Sequence, residues 1–306
     1  MFSVLRKEGR MNIIIKNVTK YYKEMKANDN ISTIFHSHQI TALIGHNGAG
    51  KSTLLHQICG LITPTKGEIY LDSLDVVKNH QQIRQHISVM PQFQVPLKGV
   101  TMMQAIQSIA MVKGLSKKEA KHKVEEIITS LQLNKWKDIS GEKLSGGLQR
   151  LTSFAMCVVD EAPVIILDEP TNDVDPIRRV LMWEYLRKLA NQGSIVIIVT
   201  HNLLEVEKYA DRYIVLNKGC IIEDIELNST YTHDIKHILS IYDIEDIDNK
   251  VFQDQFNTKY DRNQKRLLLF LNEDEVISVM PKLLQVLKDK KATNYELKIK
   301  NLYDMI

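Results

Sequence analysis

A glycine-rich segment between an apolar run and an amphipathic run is the feature that most limits how this chain can fold. Residues 45–53 read Gly-His-Asn-Gly-Ala-Gly-Lys-Ser-Thr and match the phosphate-binding pattern G-x-x-x-x-G-K-[ST]. The apolar run at 40–44 is typical of a buried parallel strand, and residues 53–59 carry apolar side chains at helical spacing. A strand, a glycine-rich turn and a helix in this order predict an α/β fold with a phosphate site.

The residue types in this loop suit a nucleotide and its metal ion. Gly48 and Gly50 allow the backbone to curl so that successive N–H groups face phosphate oxygens, and the helix N-terminus adds partial positive charge. Lys51 can reach the β- and γ-phosphates, and the Ser52 hydroxyl suits Mg²⁺, which prefers oxygen. We therefore expect ATP or GTP here rather than a plain surface turn. The residues predicted to hold the nucleotide are Gly45, His46, Asn47, Gly48, Ala49, Gly50, Lys51, Ser52 and Thr53.

The composition is that of a globular chain with no membrane-spanning segment of its own. The formal net charge of +3 gives no argument for binding nucleic acid or an anionic membrane surface. No apolar run approaches the ~18–20 residues that cross a bilayer, and residues 1–10 lack the apolar core of a signal peptide. The three cysteines are far apart and lack metal-ligand spacing. We expect a cytoplasmic protein that reaches a membrane only through a partner.

Changes in periodicity predict several units along the chain. Helical spacing dominates from about 100 to 159, where Ser116 and Glu119 have the spacing of a capping box. Asn217-Lys218-Gly219 indicates a hairpin turn. The predicted units are a flexible N-terminal extension at 1–10, a main domain at 11–225 with a helical subdomain at about 93–160, a linker at 226–265 and a small βαβ appendage at 266–306.

Two carboxylates end a buried strand at 164–168, and a histidine follows another strand at 195–199. Asp168 can hold Mg²⁺ through water opposite the loop, while Glu169 can orient or deprotonate an attacking water. His201 is placed to contact the γ-phosphate. The alternatives are that the carboxylates cap the next helix and that the histidine is structural.

A second glycine pair lies about ninety residues beyond the phosphate loop and precedes a helix, which makes a second anion-binding N-terminus. This segment, residues 144–150, contains Ser145, Gly146 and Gly147. One nucleotide does not need two phosphate clamps from one chain. A dimer does, if each chain clamps the nucleotide of the other.

With these motifs in this order, the chain resembles the ATP-binding cassette (ABC) ATPase of a transporter from about residue 11 to 225. Residues 45–53 match the Walker A motif of that family, residues 164–169 its Walker B motif and residues 144–149 its signature. Gln92 stands at the Q-loop glutamine, His201 at the switch histidine and Tyr22 near the adenine-stacking aromatic, and residues 172–175 match the D-loop.

The resemblance implies a P-loop NTPase fold with a RecA-like core, an antiparallel β subdomain and a helical subdomain. It implies an active ATPase in which Glu169, His201, Gln92 and Lys51 are catalytic. The same resemblance implies that Ser52, Gln92 and Asp168 bind Mg²⁺, and that the Ser-Gly-Gly at 145–147 contacts ATP held by a second subunit, identical or paralogous.

Three positions depart from the family pattern: His46 replaces a proline, Leu148 replaces a frequent glutamine and Asp173 replaces a common glycine. An apolar residue at 148 is typical of the drug, antibiotic and peptide exporters, and residues 301–306 are similar to their closing segment. The resemblance therefore predicts an export subunit at the cytoplasmic face of the membrane, working with a separate permease and without nucleic acid. An importer subunit and a non-transport ABC ATPase remain alternatives, and the cargo does not follow from the sequence.

Overall fold

The computed structural model describes residues 11–92, 97–227, 237–244, 252, 256–261, 265–271, 273–289 and 294–299. Contacts within the chain divide it into two compact units, Met1–Leu227 and Asn228–Ile306. Among the described residues, no helix combines the length and the apolar character that crossing a bilayer requires. The predictions made for residues 1–10, for the start of the helical subdomain at 93–96 and for the tail at 301–306 lie outside these described ranges.

The first unit contains one antiparallel and one mostly parallel sheet. The antiparallel sheet has the order β2-β1-β4-β5. Its strands are β1 (Asn12–Tyr22), β2 (Met25–His36), β4 (Lys66–Leu71) and β5 (Leu74–Asp75). The other sheet has the order β10-β9-β3-β8-β7-β6, and all its neighbouring pairs are parallel except β9–β10. Its strands are β3 (Gln39–Ile44), β6 (Ile87–Met90), β7 (Val164–Asp168), β8 (Ile195–Val199), β9 (Arg212–Asn217) and β10 (Cys220–Glu226).

Seven α-helices are described in this unit, besides a 3-10 turn at Gly141–Lys143: α1 (Lys51–Ile58), α2 (His80–Arg84), α3 (Met102–Val112), α4 (Lys117–Ser130), α5 (Gly146–Val158), α6 (Pro176–Asn191) and α7 (Leu203–Tyr209). The predicted capping box at α4 is confirmed, because Ser116 Oγ accepts from the Glu119 N–H and the Glu119 carboxylate accepts from the Ser116 N–H. Helices α3, α4 and α5 contact one another and form the helical layer. Strands β7 and β8 are buried almost throughout, as their apolar sequences predict for parallel strands covered on both faces.

The register of the parallel strands brings three strand ends to one edge. Leu43 in β3 lies opposite Val199 in β8, and Val199 in turn lies opposite Asp168 in β7. The phosphate loop leaves β3 at this edge, Glu169 leaves β7 and His201 leaves β8. Sheet register alone therefore places the loop, the carboxylates and the histidine together.

A buried arginine joins the two sheets. Arg212 at the start of β9 donates to Thr33 Oγ1 at 2.9 Å and to the Ile34 carbonyl, both on β2. The same guanidinium donates two hydrogen bonds of 2.6 Å to the Asp224 carboxylate on β10. The bidentate ion pair offsets the cost of burying the charge, and the bonds to β2 hold the antiparallel sheet against the parallel one.

The second unit has a four-stranded antiparallel sheet with the order β12-β13-β11-β14 and one described helix. Its elements are β11 (His237–Tyr242), β12 (Asn257–Asp261), β13 (Arg266–Leu271), α8 (Glu273–Lys288) and β14 (Asn294–Ile299). One face of the sheet forms a core with the helix, in which Leu239, Ile241, Leu269 and Leu283 are fully buried. This sheet order and the alternation of strands with a helix are those of a split βαβ, ferredoxin-like arrangement.

This second unit departs from the sequence-based expectation. The stretch 226–265, predicted as a linker, supplies the two strands β11 and β12. The predicted βαβ appendage is incomplete, because β11 pairs with both β13 and β14 and lies between them. The apolar signal of β11 is only a few residues long and is followed by an acidic stretch, which hid it. Pro281 lies inside α8, and the helix continues through it.

We expect Arg212→Ala to destabilise the first unit. The change removes charged hydrogen bonds and leaves Asp224 without its guanidinium partner, which costs about 2–4 kcal/mol and lowers the melting temperature by about 5–10 °C. Differential scanning calorimetry measures the shift. Lys118→Ala, at an exposed position of α4, is the control and should change stability by less than about 0.5 kcal/mol. Equal melting temperatures for the two variants would contradict the role of the arginine.

Candidate nucleotide-binding site

The phosphate loop is held in its conformation by glycine and by a buried amide network. Gly50 caps α1 with a φ of 102°, and a Cβ there would lie 2.3 Å from the Ala27 carbonyl oxygen, so this position needs glycine. Asn28 is fully buried and donates from Nδ2 to the Gly50 carbonyl at 3.1 Å. Gln57 Nε2 on α1 donates to Asn28 Oδ1 at 2.8 Å. Strand β2 therefore holds the loop and the start of α1 together.

Lys51 is buried at the first position of α1 and its ammonium group points back into the loop. Nζ donates to the carbonyl oxygens of Gly45 at 2.5 Å and His46 at 3.0 Å. Burial lowers the pKa of Lys51, while the nearby carboxylates of Glu169 and Asp168 raise it. An anion at the loop would favour the charged ammonium form and supply the negative partner that burial calls for.

The two carboxylates differ in burial. Asp168 at the end of β7 is half-buried, and burial raises its pKa against the opposing effect of Lys51 and Arg150. Glu169 is only 3% exposed, and burial raises its pKa against the opposing effect of His201. A carboxyl with a raised pKa holds a proton more readily near neutral pH, which suits an acid–base group.

Glu169 and His201 face each other across the ends of β7 and β8. His201 Nε2 lies 3.2 Å from Glu169 Oε1, and the His201 backbone N–H donates to Glu169 Oε2 at 3.4 Å. Among the described residues, no donor makes a hydrogen bond of good geometry to the buried Glu169 Oε1. That oxygen is shielded from solvent and lies against the His201 ring.

One cleft of about 360 Å³ brings most of the predicted site residues together. The predicted residues that line it are Asn47, Gly48, Ala49, Gly50, Lys51, Ser52, Thr53, Gln92, Asp168, Glu169 and His201. Five more lining residues were not predicted as part of the site, namely Met25, Lys26, Ala27, Val199 and Lys218. Lys218 lies in the turn that the sequence indicated, but only the fold shows that this turn borders the loop.

Three predicted residues near the cleft do not line it. Tyr22 ends β1 with 43% of its surface exposed, and the Lys20 ammonium lies 5.3 Å from its ring centre. Gly45 and His46 contribute carbonyl oxygens to Lys51 instead of lining the space.

The second glycine pair also lies away from this cleft. Ser145 and Gly146 are exposed, and the Ser145 hydroxyl accepts from the Leu148 N–H at the start of α5. A Cβ on Gly147 would lie 2.4 Å from the Asp173 carbonyl oxygen, so only glycine fits between α5 and this turn. Further along α5, Arg150 donates to the Gln92 carbonyl at 2.9 Å, which connects this helix to the cleft.

The polar groups of the cleft fit a hard divalent ion that carries its own waters. Ser52, Gln92 and Asp168 all line the cleft and offer hydroxyl, amide and carboxylate oxygens. Within the described ranges, no group of three or more His, Cys, Asp and Glu side chains is placed to hold a metal. Mg²⁺ typically takes one or two protein oxygens together with phosphate and water, so this donor set is sufficient for it.

Comparison with known proteins places these motifs in a family. The family model described as ABC transporter matches residues 28–172. The chain is 34% identical over 209 residues to the retinal-specific phospholipid-transporting ATPase ABCA4 of Mus musculus, covering 68% of this chain and 9% of that protein. It is also 34% identical over 217 residues to human ATP-binding cassette sub-family A member 10, covering 69% and 14% respectively. The chain thus spans only a small part of these relatives.

Solved structures show the same architecture. The dimeric post-hydrolysis state of the ATP-binding cassette MJ0796, bound to ADP and Pi, matches with a TM-score of 0.64 at 27% identity, covering 71% of this chain and 99% of that one. The cbiO1 protein of Clostridium perfringens, part of the ABC transporter complex cbiONQ, matches with a TM-score of 0.63 at 26% identity, covering 72% and 90%. These matches confirm the predicted P-loop NTPase fold.

Because burial raises the pKa of Glu169, its charged form destabilises the folded chain above that pKa. Glu169→Gln carries no charge, so we expect it to raise the melting temperature at pH 8. The advantage should shrink as the pH falls through the raised pKa, since the wild-type carboxyl then takes up a proton. Melting curves from pH 5 to 8 test this, with the exposed Glu184→Gln as control. A lower melting temperature for Glu169→Gln at pH 8 would contradict the assigned burial cost.

Proposed function

The chain contains an ABC transporter ATP-binding domain, and from this premise we propose that it hydrolyses Mg²⁺–ATP to energise a separate membrane permease. The supporting observation is the cleft in which the phosphate loop, two carboxylates, a glutamine and a histidine meet. Hydrolysis of ATP is the activity that the family supports. The metal ion, the roles of individual residues and the coupling to transport are part of the proposal.

In the proposed reaction, the loop binds the phosphates, and residues at the opposite edge of the cleft position the attacking water. Lys51 exchanges its bonds to loop carbonyls for phosphate oxygens, and backbone N–H groups of the loop complete the phosphate cradle. Ser52, Asp168 and Gln92 would hold Mg²⁺, which when bound would neutralise part of the phosphate charge. The Glu169 carboxylate, whose pKa is raised by burial, orients and deprotonates the water, and His201 contacts the γ-phosphate.

The proposed functional unit is a dimer with ATP between two facing cassettes. Ser145 and Gly146 are exposed and do not line the cleft of their own chain. Each chain therefore leaves one phosphate clamp without a nucleotide of its own, and the partner's ATP would fill it. The MJ0796 cassette, which shares this fold, has been solved as a dimer. The second subunit of this assembly is another copy of the chain or a paralogue.

A groove beside β6 is the proposed docking site for the permease. It holds about 600 Å³ and is lined largely by apolar side chains from the core and from the helical layer. Leu61 and Val89 in this lining are 56% and 47% exposed. Strand β6 crosses the groove and leads directly into Gln92, so a segment seated here would be connected to the nucleotide cleft.

We further propose that the complex exports its cargo, with the domain at the cytoplasmic face of the membrane. Support comes from the apolar residue at position 148 and from relatives whose names describe phospholipid-transporting ATPases. An amphiphilic cargo such as a drug, peptide or lipid fits both the residue at 148 and the names of these relatives. An importer subunit is the second candidate, because cassettes from other kinds of ABC complex share the fold.

Removing the Glu169 carboxylate tests the reaction. We expect Glu169→Gln to bind ATP with unchanged affinity and to hydrolyse it ~10²-fold or more slowly, because a positioned base is lost. Phosphate release and equilibrium ATP binding measure the two quantities. Lys51→Ala should instead weaken binding, since it removes the charge that faces the phosphates. Near wild-type turnover by Glu169→Gln would show that the assigned base is wrong.

Sizing by light scattering tests the dimer. We expect a monomer without nucleotide, and a dimer of Glu169→Gln with ATP but not with ADP, because the γ-phosphate contacts close the interface. Adding Ser145→Arg should abolish the dimer while leaving ATP binding to the monomer intact. Ser130→Arg, at an exposed position ending α4, is the matched control and should dimerise normally. Dimerisation that is equal in all nucleotide states would rule out this arrangement.

A further inference from the structure

Glu205 is a carboxylate outside the nucleotide cleft that links three separate segments of the first unit. It lies in the first turn of α7, four residues after His201, and its side chain is 11% exposed. No local sequence pattern marks it. Its position behind the cleft suggests that it acts through neighbouring residues rather than on the nucleotide.

Each oxygen of the Glu205 carboxylate has defined partners. Oε2 accepts from Thr171 Oγ1 at 2.8 Å and from the Trp183 indole N–H at 2.9 Å. Oε1 accepts from Asn202 Nδ2 at 2.8 Å and lies 3.5 Å from the Arg179 guanidinium. Because Thr171 and Trp183 are buried, their donors depend on this one carboxylate.

Arg179 extends the same network to Val174, at the far end of the segment 169–174 that follows β7. Arg179 Nε donates to the Val174 carbonyl at 2.7 Å. Glu205 thus holds the segment 169–174 at two points. It bonds to Thr171 directly, and it reaches Val174 through Arg179, its ion-pair partner. The other end of the network is Asn202, the N-cap of α7, whose side chain accepts from the Glu205 N–H.

The segment held in this way is strained. Glu169 and Asp173 have φ values of 49° and 60°, in the left-handed region that residues other than glycine rarely adopt. Such conformations persist only where the surrounding contacts fix them. The Asp173 carbonyl also packs against Gly147 at the start of α5, so displacement of this segment would disturb the second phosphate clamp.

We infer that Glu205 is a positioning residue that holds His201 and the segment 169–174 in register with each other. It contacts Thr171, two residues after Glu169, and Asn202, the residue after His201. The inference rests on the proposed function, because register at this pair matters for catalysis only if the cleft hydrolyses ATP. A purely structural role would stabilise the fold without selectively affecting turnover.

The first test compares Glu205→Gln with Glu184→Gln, an exposed carboxylate on α6. Glutamine keeps the shape of the side chain but places an amide N–H₂ against the donors of Asn202 and Arg179. We expect turnover to fall about 10- to 100-fold, the scale of a misplaced catalytic group, with KM for ATP within about twofold of wild type. The control should match wild type. Turnover within twofold of wild type, or a loss confined to KM, would overturn the inference.

The second test substitutes Thr171. This change removes a single hydrogen bond to Glu205 and so limits the risk of misfolding. Thr171→Val deletes the hydroxyl that reaches Glu205, and Thr171→Ser keeps it. We expect the valine variant to lose turnover, the serine variant to retain it, and the Thr171→Val/Glu205→Gln double variant to be no slower than the worse single variant. Multiplicative losses in the double variant would show that the two residues act independently, which would overturn the inference.

A third readout does not depend on hydrolysis. Amide hydrogen exchange, followed by mass spectrometry, should be faster in Glu205→Gln at both 169–175 and 200–205 and unchanged in Glu184→Gln. If wild-type protein hydrolyses no ATP, the proposed function fails, and this exchange pattern still decides whether Glu205 holds the two segments. Unchanged exchange at both segments would overturn the positioning role even in an active enzyme.

Discussion

The burial of Lys51 beside two carboxylates is the interaction on which the site depends. Burial disfavours the charged forms of the lysine and of both carboxylates. The attraction between the opposite charges offsets part of this cost. The parallel register of β3, β7 and β8 sets the spacing of these charges, since each strand ends at the same edge. The Gly50 conformation and the Asn28–Gln57 amides then fix the loop that carries the lysine. The fold thus brings together charges that only partly neutralise one another within the chain itself.

The sequence predicted this edge well because the relevant residues follow apolar strands directly. A short run of Val, Ile and Leu is recognisable as a buried strand from the sequence alone. The residue after the run lies at the strand end, whichever strands pair with it. The contacts that support the edge were not predictable in this way. Asn28 reaches Gly50 and Glu205 reaches Thr171 only through the tertiary fold, and no local pattern marks either residue. Strand β11 was missed for a different reason, because its burial depends on pairing with β13 and β14.

Helix α5 connects parts of the molecule that serve different nucleotides in the proposed dimer. Ser145 at its start does not line the cleft of its own chain, while Arg150 donates to the carbonyl of Gln92, which does line it. Near its other end, Asp160 accepts from Ser88 on β6 at 3.0 Å and pairs with Lys113 at 3.1 Å. The strand that leads to Gln92 is thus attached to the helical layer at two points. Helix α5 and these attachments thus form a continuous set of contacts from the groove to the cleft and to the exposed clamp.

The buried Lys51 also bears on how long the chain survives in a cell. An anion at the loop would supply the negative partner that its buried ammonium calls for, so nucleotide binding would lower the population of locally opened chains. A ligand at 100 times its Kd stabilises the folded state by about 2.7 kcal/mol, which lowers that population about a hundredfold. Proteases that cleave opened chains would then act mainly on nucleotide-free copies. Occupancy of this one cleft would then influence how much of the protein is present at steady state.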